Sequence, residues 1–167
     1  MSEVPVDLIA DTDDGIECFG ELLVDQLHAM PAGLRLSASA QPTPEALRHL
    51  RRSDLIIIGP GSFLTSLMPP LLVDKIVETI ASHNAPVIFV DNLIPEQSPA
   101  GQLPISARIR WLEQKVGFQL IDMVITNHAD KDLDLPHING IEADRNAPQR
   151  HDKVSLRNTL NQALAAL

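Results

Sequence analysis

Aromatic residues are scarce in this sequence: it has no tyrosine, one tryptophan and four phenylalanines, together 3% of 167 residues. Single-stranded nucleic-acid binders stack bases on several aromatic platforms, so that class is excluded. Positive charge is also short. Thirteen Lys and Arg face twenty-two Asp and Glu, and the net charge of −9 argues against a general nucleic-acid surface. The one basic cluster, Arg48, His49, Arg51 and Arg52, falls at the end of a predicted helix, where cations complement the helix dipole.

Cysteine is nearly absent too. Cys18 stands alone, so no internal disulfide forms, and its strand-like context reads as a small packing residue rather than a nucleophile. The six histidines are scattered without a His-x-x-x-His repeat, and no metal site is predicted. There is no apolar run of membrane-spanning length and no charged-then-apolar leader, so neither membrane nor secretion is expected and a cytoplasmic location is. At 44% hydrophobic, the chain can bury roughly 70% of its unfolded surface as one α/β domain over 1–167.

What is present is concentrated at residues 54–66, Asp-Leu-Ile-Ile-Ile-Gly-Pro-Gly-Ser-Phe-Leu-Thr-Ser. An apolar β-branched run that stops at Gly59-Pro60-Gly61-Ser62 describes a buried strand delivering a small-residue loop to a sheet edge. Without Cβ atoms, Gly59 and Gly61 let the backbone turn sharply and approach a bound group. Ser62, Thr65 and Ser66 add hydroxyl donors at the start of a following helix. The same four residues also describe a plain strand-to-helix turn.

Around this loop the pattern is regular. Val6 to Asp11 and Ile16 to Glu21 alternate about Asp13-Asp14-Gly15, a β-hairpin over 6–21. Leu34 to Ala38 reads as a short strand, and Thr43 caps a helix from Pro44 to about Arg52. A βαβαβ core over 54–126 follows, with strands at Leu55 to Ile58, Val87 to Val90 and Met123 to Thr126. Helices are expected at Pro70 to His83 and Pro104 to Val116, the latter ended by Gly117. Asp152 caps a last helix, 153–166, with Val154, Leu156, Leu160 and Leu164 on one face. The continuous apolar runs imply strands buried on both sides, hence a three-layer, Rossmann-like, mostly parallel doubly wound sheet.

Ligands in such sheets bind at the carboxyl ends of the strands. Here those ends carry Gly59 to Ser62, then Asp91-Asn92, then Thr126-Asn127. Asn92 offers two donors and an acceptor for a base, ribose or sugar hydroxyl; it also reads as the closure of an Asx turn. Asp91 is a lone carboxylate, weak as a metal ligand or general base. Arg150 and His151 suit a phosphate and a proton transfer, though a salt bridge beside the Asp152 cap is the preferred reading. The loop 92–102 is long for a βα connection and reads as a lid.

Ser53 to Leu72, SDLIIIGPGSFLTSLMPPLL, resembles the signature of the CofD-like superfamily, which holds the 2-phospho-lactate transferases and the YvcK/YbhK-type gluconeogenesis factors. VDLIADTDDGIECFGE (6–21) and Arg150-His151-Asp152 are similar to the YvcK/YbhK branch, and Ile94 to Gly101 follows the YbhK-type wording. The resemblance covers the second half of the family chain, so a C-terminal fragment is expected. It implies a regulatory protein that binds uridine-diphosphate sugars and supports cell shape and wall synthesis on gluconeogenic carbon. Strand-end position and the resemblance together give the candidate ligand residues Gly59, Pro60, Gly61, Ser62, Thr65, Asn92, Asn127, Arg150 and His151, without a confident cofactor. The transferase branch implies instead transfer of a phospholactyl group from a guanosine-diphosphate carrier to a deazaflavin, assisted by magnesium. No catalytic constellation is present in this chain. A half-sheet with an open strand edge predicts a homo-oligomer.

Overall fold

The alternation about Asp13-Asp14-Gly15 folds as a hairpin of β1 (Leu8–Asp11) and β2 (Glu17–Phe19), with Ile9 opposite Phe19 and Asp11 opposite Glu17, in a computed structural model that describes residues 5–167. A short helix, α1 (Glu21–Asp25), follows directly; it has too few residues to show a period. The strand expected at Leu34 to Ala38 forms as β3 (Gly33–Leu36) and pairs with the free side of β1, giving an antiparallel sheet ordered β2-β1-β3. Leu8, Ala10 and Leu34 turn inward from it and join the main core. Helix α2 (Pro44–Leu50) starts as its sequence requires, the Thr43 hydroxyl accepting from the Ala46 N–H at 3.3 Å.

The second sheet is parallel and four-stranded, ordered β4 (Ile56–Ile58), β5 (Val87–Val90), β6 (Met123–Ile125) and β7 (His137–Ile138). Its register places Ile58 beside Phe89 and Phe89 beside Val124. Side-chain alternation divides the core in two. Val87, Phe89 and Val124 pack with the crossover helices, while Ile88, Val90, Met123 and Ile125 pack under the C-terminal helix. Helices therefore cover both faces, the three-layer arrangement expected from the apolar runs.

Four expectations need correction. The helix expected over Pro70 to His83 is broken: a π-helical turn at Phe63–Leu67 runs into α3 (Met68–Leu71), and α4 (Asp74–Ala81) starts afresh. Pro69 and Pro70 sit in the first turn of α3, where no backbone donor is needed, and Val73 is extended between the two helices. β4 is not buried on both sides, since Ile57 is 44% exposed; β4 is the sheet edge and the C-terminal helix packs over β5 and β6 instead. That helix, α6 (Lys153–Ala166), buries Thr159 and Ala163 with Leu156 and Leu160, whereas Val154 and Leu164 lie exposed at its ends. Finally, Arg150 forms no salt bridge among the described residues, against the preferred reading, and Arg150 and His151 are strand residues. They end β9 (Ala147–His151), which pairs with β8 (Ala143–Asp144) in a hairpin too short to announce itself.

The remaining crossover helix, α5 (Ile105–Val116), ends at Gly117 in the left-handed region as expected. Pro104 offers its N-terminus no side-chain cap. That role falls to Asp130, from the loop after β6, whose carboxylate accepts from the Ser106 N–H at 2.8 Å.

Candidate functional site

The carboxyl ends of β4, β5 and β6 meet in one hydrogen-bonded cluster. Gly59 leaves β4 at φ +96°, and a Cβ there would stand 2.3 Å from the Val90 carbonyl oxygen; only glycine permits that turn so close to β5. The Gly59–Pro60 peptide is cis. Asn92 then holds the loop by its peptide: its Oδ1 accepts from the Gly61 N–H at 3.1 Å and its Nδ2 donates to the Gly61 carbonyl at 3.0 Å. Asn92 is thus neither a simple Asx closure nor a free carboxamide.

Beyond Gly61, the Ser62 and Thr65 hydroxyls and the Phe63 N–H also meet protein acceptors. The Ser62 hydroxyl donates to Asp25 at 3.0 Å, and the Thr65 hydroxyl lies 3.1 Å from the same carboxylate and 2.8 Å from Ser62 Oγ. The Phe63 N–H points at the Glu96 carboxylate, 3.1 and 3.3 Å from its two oxygens. Glu96 comes from the loop 92–102, which is folded down on the Gly59–Ser62 loop with Ser98, Pro99 and Ala100 buried. Gly101 lets that loop close on itself, because a Cβ there would fall 1.9 Å from the Glu96 carbonyl oxygen. Asp25 and Glu96 thus bring two carboxylates to a loop whose amides and hydroxyls suit an anion.

Behind the loop lies a buried ion pair. Arg108, on α5, donates to Asp91 through Nη1 at 2.8 Å and Nη2 at 3.1 Å. The same carboxylate accepts the Thr126 hydroxyl at 3.0 Å and the Asn92 N–H at 2.9 Å. Four donors occupy Asp91, which leaves it poorly placed as a base or metal ligand. Two imidazoles flank the turn: His151 Nε2 donates to the Asp91 carbonyl and His128 Nε2 to the Asn92 carbonyl, each at 3.1 Å. Burial lowers the His151 pKa below its ordinary value, and the bond to Asp91 together with the Asp91 charge offsets only part of that.

The structure thus brings Gly59, Pro60, Gly61, Ser62, Thr65, Asn92 and His151 together. Asn127 is not among them. Its carboxamide is turned to the stretch before β8, accepting from the Gly140 and Ile141 N–H groups at 2.9 and 3.1 Å and donating to the Ile141 carbonyl. Arg150 is exposed on β9, and among the described residues it forms no salt bridge. Sequence reasoning missed Asp25, Glu96, Arg108 and His128. None of them stood out by local pattern, because each is selected by a partner distant in sequence.

Among the described residues no three His, Cys, Asp or Glu side chains converge as a metal site, so nothing here identifies where magnesium would sit. Between the 92–102 loop and α5 lies a cavity of about 70 Å³ lined by Asp91, Asn92, Glu96, Arg108 and His128. That volume suits a few waters, not a nucleotide. A separate apolar groove of about 580 Å³ runs along β4 between α2 and α4, lined by Leu50, Ile57, Leu67 and Ile80.

A sequence profile of the CofD family, described as 2-phospho-L-lactate transferase CofD, matches residues 1–166. The chain belongs to the CofD family. Two of its relatives carry the description "Putative gluconeogenesis factor": that of Pasteurella multocida is 39% identical over 172 residues and that of Yersinia pestis 38% over 175, each alignment covering all of this chain and 56% of the relative. The "Gluconeogenesis factor" of Bacillus subtilis is 31% identical over 124 residues, 74% of this chain and 39% of that protein. A crystal structure of a UPF0052 family member from Bacillus halodurans superposes with a TM-score of 0.81 at 22% identity, covering 95% of this chain and 60% of that one. This CofD-family chain therefore spans about half the length of the relatives it matches, and the solved neighbour shares its fold.

Proposed function

We propose that the chain forms the binding part of a regulatory protein for nucleotide sugars, with a uridine-diphosphate sugar as ligand, acting in the cytoplasm in support of cell shape and wall synthesis during gluconeogenic growth. The observation that carries this reading is the Asn92 clasp on Gly61. It ties the carboxyl end of β5 to the small-residue loop after β4, at the edge where parallel α/β sheets receive ligands. The gluconeogenesis-factor descriptions of the relatives support the physiological setting. The small cavity requires the 92–102 loop to yield when a nucleotide enters, with Glu96 leaving the Phe63 N–H.

Calorimetric titration of uridine-diphosphate-N-acetylglucosamine tests the reading, on this chain and on a form extended to the length of its relatives. Saturable heat that falls about tenfold in affinity in Asn92→Ala is the expected result. Absence of heat from both forms would remove the nucleotide-sugar reading.

The description of the matched family favours a second reading, a phospholactyl transferase. It requires a guanosine-diphosphate-linked donor, a deazaflavin acceptor and magnesium. Incubation of the extended form with all three, followed by mass spectrometry of the acceptor, decides it; an unmodified acceptor excludes the transferase.

A further inference from the structure

The Arg108–Asp91 pair is a costly way to hold a helix against a sheet. Its side chains are 9% and 1% exposed, and the Arg108 Nε is buried with no hydrogen-bond partner. Desolvating two such charges offsets most of their attraction, so a buried pair of this kind adds little stability over apolar side chains of similar size. An unpaired guanidinium nitrogen lowers the gain further. What the pair does instead is fix orientation. The planar guanidinium meets the carboxylate with two parallel bonds, which sets the rotation of Asp91 about its side chain. Oδ1 is then aimed at the Asn92 N–H and Oδ2 at the Thr126 hydroxyl.

From the Asn92 N–H the constraint passes to the rest of that residue. Its backbone is pinned on one side by Asp91 and on the other by His128 at its carbonyl, and its carboxamide closes on both polar groups of the Gly61 peptide. We infer that Arg108 is a positioning residue, which through Asp91 holds Asn92 in the rotamer that clasps Gly61 and so sets the conformation of the Gly59–Ser62 loop. The functional side of this inference rests on the nucleotide-sugar reading above; the geometric side does not.

The test uses the double variant Asp91→Asn with Arg108→Met, which removes both charges without leaving either unpaired, and the single variant Arg108→Lys, which keeps the charge but loses the bidentate fork. Backbone hydrogen exchange followed by NMR reads the Gly61 amide, bonded to Asn92 Oδ1 in the native chain. The Val124 amide, bonded to the Pro136 carbonyl at 2.9 Å, is the internal reference for an intact sheet.

The expected result is Gly61 exchange about tenfold faster relative to Val124 in the double variant, with a smaller acceleration in Arg108→Lys. Nucleotide-sugar affinity should fall by a similar factor. Gly61 protection unchanged relative to Val124 in a folded double variant overturns the positioning role. Should the double variant fail to fold, Arg108→Lys decides alone, and unchanged Gly61 protection there overturns it equally. Faster Gly61 exchange in a protein that takes up no nucleotide sugar in any form would uphold the positioning role and defeat the function proposed above.

Discussion

The carboxamide of Asn92 bonds Gly61 twice, accepting from its N–H at 3.1 Å and donating to its carbonyl at 3.0 Å across 31 positions of sequence. A backbone peptide at the end of a strand is held here as a third strand partner would hold it. Asn92→Ala leaves both peptide groups without that partner and should cost about 1–3 kcal/mol of unfolding free energy. Asn92→Asp keeps the acceptor, loses the donor, and should fall between Ala and the native residue. Urea unfolding of the three proteins gives the order; equal midpoints for all three would mean that water replaces the clasp without loss.

The glycines of the loop are not equivalent. At Gly59 a side chain meets both a left-handed backbone and the Val90 carbonyl oxygen at 2.3 Å, whereas at Gly61 the nearest atoms are Leu67 Cδ2 at 3.3 Å and Ser66 Cβ at 3.4 Å. Gly59→Ala should therefore destabilise by roughly 2 kcal/mol or more. Gly61→Ala should remain within about 1 kcal/mol of the native protein, since the Leu67 methyl can give by a few tenths of an ångström. Thermal unfolding of the pair checks this ranking, and a larger loss for Gly61 would contradict the geometry.

The contrast between those two glycines also shows what could be read from the chain. Gly59-Pro60-Gly61-Ser62 after an Ile-rich run announced the strand, the turn and its place at the carboxyl edge, and Thr43, Gly117 and Asp152 marked helix ends by local chemistry alone. The site around the loop was legible only where its residues adjoin a strand end, as Asn92 does. Asp25, Glu96, Arg108 and His128 reach it from separate elements, and their selection depends on packing that no local period encodes. Arg108 is the clearest case: within α5 it reads as one more charge on an amphipathic helix, until Asp91 is found facing it. Short elements failed for a different reason. The two residues of β7 and the two of β8 form because longer strands offer them open edges, not because their own sequence prefers extension.

Asp130 makes the pH dependence of this edge predictable. Burial acts to raise its pKa, but the bonds from the Ser106 and Asp132 N–H groups and the nearby Arg110 charge outweigh it, so the carboxyl titrates below its ordinary value. A folded-state value below the unfolded one contributes stability above the ordinary carboxylate range, which is lost as pH falls through the lowered value. Asp130→Asn should remove that part of the acid transition. Near neutral pH it should cost no more than about 1 kcal/mol, the usual weight of a helix cap. Stability curves for the two proteins between about pH 2 and 7 should converge at the acid end; parallel curves would show that Asp130 does not cap α5 in solution.

Glu96 supplies a fourth test. Its carboxylate is the acceptor for the Phe63 N–H, and its backbone is packed against Gly101. Glu96→Ala leaves that donor to water and frees the 92–102 loop at one point, for an expected loss of about 0.5–1.5 kcal/mol. Hydrogen exchange across 93–103 should rise while the strands β5 and β6 keep their protection. A nucleotide phosphate that uses the same N–H would then enter without displacing a carboxylate, so affinity for uridine-diphosphate-N-acetylglucosamine should rise in Glu96→Ala even as stability falls. Affinity and stability falling together would place the phosphate elsewhere.

The open side of β4 bears on association. β4 pairs with β5 alone among the described strands, and Ile57 on it is 44% exposed beside the apolar groove. Unpaired strand edges recruit further strands unless charge or proline blocks them, and the three isoleucines of β4 provide neither. We propose that a second copy of the chain covers this edge. Light scattering after size-exclusion should report a dimer whose fraction grows with concentration, and Ile57→Lys, which places a charge on the edge without touching the core face, should shift it toward monomer by about tenfold in dissociation constant. A monomer at every concentration would mean that a second copy does not cover this edge.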